Sequence, residues 1–152
     1  MSICGLFSTI VILLVLWLLS FLLHEFCHVI EGLRQGASEG YIYLAYYKFF
    51  PSLRADVSKV ENKFLFYLSG GLYSGLILLP LAYVAVTLKY TPFDYAFTLA
   101  CSANLSYSIF EALYGDKLEY RKYMIIHYLI YIAVFVVVTL MFLPSISSFL
   151  SS

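Results

Sequence analysis

His24, Glu25, Phe26, Cys27 and His28 form a His-Glu-x-x-His pattern, and that spacing carries a defined chemistry. On a helix, positions four apart stand one turn above each other on one face, so His24 and His28 can both reach a single metal ion. Glu25 lies about 60–100° round the helix from them, where its carboxylate addresses a water rather than the metal. Zn2+ acidifies such a water, and the carboxylate takes the proton and passes it to a leaving amine. The pattern predicts two zinc ligands, His24 and His28, and a catalytic base, Glu25.

Context strengthens a short motif. The apolar run from about Gly5 to Leu23 carries no ionisable residue, and then His, Glu and His arrive within five positions. Ionisable groups inside a membrane helix are costly and by default mark function. A catalytic zinc usually takes three protein ligands and keeps one position open. Asp116, Glu111, Glu31 and His127 are the candidates for the third. Asn104, Ser108, Glu111 and Gly115 recur at helical steps and make one polar stripe, which must face the protein interior to be satisfied. Asp116 follows that stripe directly, at the expected depth of His28. His127 reads as a gating or supporting residue beside the ligands.

The elements that must position these residues belong to a membrane protein. Of the 152 residues 62% are hydrophobic and 12% charged, against about 25% charged in an ordinary soluble domain. So little polar surface predicts that a lipid bilayer covers most of the chain. Four apolar stretches, near Gly5–Ile30, Phe64–Leu88, Tyr95–Tyr114 and Met124–Leu143, each approach the ~20 residues a helix needs to span the hydrocarbon core. The expected fold is all-α and integral to the membrane, with four transmembrane helices in one protease domain over residues 1–152. The first run has no basic residue before it and leads into the histidines, so it reads as a retained helix rather than a cleaved leader.

Basic residues cluster after the first helix (Arg34, Lys48, Arg54, Lys59, Lys63) and between the third and fourth (Lys117, Arg121, Lys122). The positive-inside rule puts both clusters, and the ends of the helices carrying the histidines, at the cytosolic face, with both termini on the other side. Between helices 1 and 2, the Tyr- and Phe-rich segment Tyr41–Phe50, ending at Pro51, predicts a short interfacial β-hairpin or strand. It serves either as an aromatic belt or as an edge strand able to receive an extended peptide. Gly71 and Gly75 make a small-xxx-small pair for close helix approach. Cys4, Cys27 and Cys101 have no ligand spacing, and with zero net charge and no basic patch on a soluble face, no nucleic acid partner is expected.

These features together resemble the site-2 protease family of intramembrane zinc metalloproteases. The resemblance rests on the His24–His28 motif, the small residues Ser69, Gly70, Gly71, Ser74 and Gly75 of the second core helix, and Asn104 followed by an acidic residue in the third. The chain lacks the proline and asparagine usual in the family's second helix, and Gly115 precedes Asp116 where the family has Asp-Gly. By order along the chain, the resemblance implies Asp116 as the third zinc ligand, downstream of Asn104; Glu111, on the polar stripe, stays the alternative. It further implies cleavage of a transmembrane protein substrate within or near its membrane segment. Two other functions use some of the same residues: a catalytically inactive metal-binding membrane scaffold, and a haem-binding redox protein with axial histidines drawn from His24, His28 and His127.

Overall fold

The computed structural model describes residues 3–47, 50–89, 93–115, 125–138 and 140. Four helices and one hairpin follow in the order α1 (Ile3–Arg34), β1 (Gly40–Tyr47), β2 (Phe50–Val57), α2 (Lys63–Thr87), α3 (Phe93–Tyr114) and α4 (Ile125–Val138). Two of these helices are long and apolar enough to cross a membrane: α1, over Ile10–Arg34, and α2. Polar residues along α3 lower its apolar character, and the described part of α4 is shorter. Asp116 lies outside the described residues.

The boundaries follow from local chemistry. At the end of α1, Gly36 takes a φ of 90°. This lets Ala37 N–H reach Gly32 O at 3.1 Å and Gly36 N–H reach Leu33 O at 3.0 Å, so orphan carbonyls are satisfied at the turn. Asn62 caps α2, its Oδ1 accepting Leu65 N–H at 3.0 Å. Gln35 ties these two ends together: Oε1 accepts the amides of Glu61 and Asn62, and Nε2 donates to Asn62 O.

The hairpin is antiparallel, with Tyr41 opposite Asp56, Tyr43 opposite Arg54 and Leu44 opposite Leu53. Its outer face carries Tyr41, Tyr43, Arg54 and Asp56, all exposed. Asp56 accepts the Tyr41 hydroxyl at 3.0 Å, and this carboxylate partner raises the phenol's pKa. The inner face meets α1 where Gly32 and Gly40 leave room for the Val57 side chain. Pro51 does not end the strand segment as the sequence implied; β2 runs through it to Val57. Counting along the ladder, position 51 points its backbone away from β1, so the missing N–H costs no ladder bond.

Helices α2 and α3 form the closest pair. Gly71 lies against the α3 backbone at Asn104 and Ser108, and Gly75 lies against Leu105, with no space for a Cβ at either. Ser108 Oγ donates to Leu68 O at 2.8 Å across the same seam. The buried residues of both helices are mostly small: Gly70, Ser74, Ala82 and Ala85 on α2, and Ala96, Ala100, Cys101 and Ser106 on α3. Leu14, Trp17, Leu18, Ile77, Leu81 and Leu99 are exposed. Small residues inside and large apolar ones outside is the arrangement that helices adopt when lipid, not water, surrounds them.

Candidate metal centre

α1 carries His24 and His28 on one face, both buried, and α3 brings Glu111 to them. Three donor atoms converge. His24 Nε2 lies 3.0 Å from Glu111 Oε2, His28 Nε2 lies 3.3 Å from the same oxygen, and the two Nε2 atoms are 3.2 Å apart. Two donors of a tetrahedral zinc shell, each at the usual ligand distance, stand ~3.3 Å from each other. The triangle therefore matches one face of such a shell.

The outer nitrogens of both rings are fixed. His28 Nδ1 sits 2.6 Å from the carbonyl oxygen of Phe66, which can only accept, so Nδ1 carries a proton and the neutral ring presents a lone pair at Nε2. His24 Nδ1 sits 3.1 Å from Asn104 Oδ1. Asn104 is oriented by its own amide group, which donates to Ser20 Oγ at 2.6 Å and Ala100 O at 2.8 Å. Its Oδ1 therefore faces His24, with Ser74 Oγ 2.7 Å away. In the neutral ring His24 Nε2 is thus also left as an acceptor. With both rings neutral, two imidazole lone pairs and a carboxylate oxygen at such separations repel one another unless a metal ion or a shared proton lies between them. The cluster is able to coordinate a metal ion.

Glycine at position 70 is part of this site. A Cβ there would run into the His28 imidazole, so α2 supplies a cradle for the ring as well as the Phe66 carbonyl. In the sequence, close packing accounts for Gly71 and Gly75 and leaves Gly70 without a separate role. One available signal was its place four residues after Phe66, on the same face of the helix.

The remaining candidates are placed as follows. Glu25 is partly buried and its Oε2 accepts Ala55 N–H from β2 at 2.6 Å. Glu31 is fully buried away from the cluster, bound by Arg34 Nε and Nη2 at 2.8 Å each, by Gln35 Nε2 at 2.8 Å and by the Tyr73 hydroxyl at 3.1 Å. His127 packs on the rings of Tyr107 and Phe110, with centroids 4.5 and 5.0 Å away, and Tyr107 in turn lies 5.9 Å from the His24 ring. His127 Nδ1 is buried with no hydrogen-bond partner among the described residues. The two histidines of α1 converge on one point, so they cannot take opposite faces of a haem. No protein-family model, curated protein or solved structure matches this chain.

Proposed function

We propose that this protein is an intramembrane zinc metallopeptidase, acting on peptide bonds in or near the transmembrane segments of other proteins. The observation that carries the reading is the converging set of His24 Nε2, His28 Nε2 and Glu111 Oε2, with Glu25 next in sequence to the first ligand. Glu111 is the proposed third ligand; Asp116, the acid implied by chain order, is tested beside it.

A zinc ion held there supplies Lewis-acid activation of water and of a peptide carbonyl. The chain's own residues do the rest. His24 and His28 hold their Nε2 lone pairs inward because Asn104 and Phe66 occupy the opposite nitrogens. Glu25 serves as general base toward the attacking water and then as general acid toward the leaving amine nitrogen. β2 lies against the same stretch of α1, as the contact from Ala55 to Glu25 records, and its edge is suited to holding a substrate in extended form.

We further propose that α3 and α4 cross the bilayer with α1 and α2, and that the centre lies near the cytosolic face. Water reaches such a site more readily than the midplane. In the experiment that tests this function, Glu25→Gln and wild-type protein are compared in liposomes for cleavage of a co-reconstituted single-span substrate, with zinc measured in both. Zinc retained and cleavage lost in E25Q supports the peptidase. Equal cleavage by both refutes the role of Glu25, and zinc without cleavage in wild type favours the scaffold.

A further inference from the structure

The backbone amide that binds Glu25 faces away from the hairpin's own ladder. Ser58 N–H donates to Glu39 O, and Glu39 and Ser58 continue the β1–β2 register. In an antiparallel pair, bonded and non-bonded positions alternate. Asp56 with Tyr41 and Arg54 with Tyr43 are therefore the bonded pairs, while Leu53, Ala55 and Val57 turn N–H and C=O outward. Glu25 Oε2 takes the middle of these outward donors, at 2.6 Å. The residue assigned as base thus occupies a hydrogen-bonding position that a strand added to this edge would need.

We propose that this contact is a substrate-released latch: an extended peptide pairing with the outer edge of β2 takes the Ala55 N–H and frees the Glu25 carboxylate for the metal centre. The inference rests on the peptidase reading for its purpose, though not for its geometry. The exchange leaves no buried donor stranded, because the peptide's carbonyl replaces the carboxylate on the same N–H. Leu53 and Val57 offer further backbone bonds to the incoming strand. Seating of an extended segment and availability of the base are then one event, and a segment that stays helical leaves Glu25 held.

The test uses the full chain in lipid nanodiscs, with a blocked peptide of alternating valine and threonine as the probe. Amide exchange is followed residue by residue, and the Glu25 carboxylate band is identified in the infrared by its loss in Glu25→Gln. In Glu25→Ala the Ala55 amide is expected to exchange about tenfold faster while Arg54 and Asp56 stay protected. Adding the peptide should restore protection at Ala55. In wild type the peptide should shift the Glu25 band to its position in Ala55→Pro, a variant that removes this N–H and spares the β1 ladder. Unchanged Ala55 exchange in E25A, or a Glu25 band that the peptide does not move, overturns the latch. Neither readout needs turnover. A moving band in a protein that cleaves nothing ends the peptidase reading and keeps the latch, whereas cleavage with a still band does the reverse.

Discussion

His24 is held from both sides of its ring, and the side away from Glu111 is the one a substitution can reach without removing a candidate ligand. Asn104 fixes the Nδ1 proton of His24 and is itself fixed by Ser20 and Ala100. Asn104→Ala should therefore weaken zinc binding by about 10–100-fold while leaving all three ligands in place; a competition titration against a chelator measures this, and an unchanged affinity would contradict the orienting role. Glu111→Ala should lose the metal on dialysis while Asp116→Ala retains it, with zinc per chain as the readout. The reverse pattern would return the third ligand to Asp116. The two histidines of the cluster were legible in the sequence because their four-residue spacing sets them one turn apart on a helix. The acid was legible only as a choice, since chain order pointed to Asp116 and the helical stripe through Asn104 and Ser108 pointed to Glu111. Among the described residues Glu111 is the acid that lies beside the histidines, and Asp116 falls outside them. Periodicity on one helix is a local constraint and carries its own geometry, whereas order along the chain fixes no angle.

At the scale of elements, α2 does two jobs with neighbouring glycines. Gly70 faces the His28 ring and Gly71 faces the α3 backbone, so the same substitution should fail differently at each. Gly70→Ala should lower zinc affinity with a small change in thermal stability. Gly71→Ala should push α2 and α3 apart and cost about 1–3 kcal/mol of stability, as overpacking does. Equal losses of metal binding and stability in both variants would contradict this division. The small-residue seam could be read from the sequence, because Gly71 and Gly75 recur one turn apart. The cradle could not, because it depends on where a side chain from α1 arrives. The hairpin was half legible: its aromatic first strand stood out, while Pro51 concealed the second, since a proline reads as a break until its register is known.

At the scale of the whole molecule, many bulky apolar side chains among the described residues face outward while small or polar ones face inward, an arrangement consistent with surrounding lipid. In the proposed topology the uneven distribution of lysine and arginine puts the hairpin on the cytosolic side. A single cysteine placed at the exposed Ser58, in a variant with Cys4, Cys27 and Cys101 replaced by serine, should react with an impermeant maleimide only from the cytosolic side. Labelling from the opposite side would invert the proposed topology. For the proposed peptidase that direction decides which compartment supplies water and receives the product.

The central claim is a zinc centre at His24, His28 and Glu111, and zinc K-edge X-ray absorption on the full chain loaded with one equivalent of zinc probes it most directly. The account predicts one tightly held zinc with only nitrogen and oxygen donors at about 2.0–2.2 Å, an imidazole scattering pattern from His24 and His28, and loss of that signal in the His24→Ala, His28→Ala double variant. A sulfur shell at about 2.3 Å, or a spectrum unchanged by the double substitution, would contradict it.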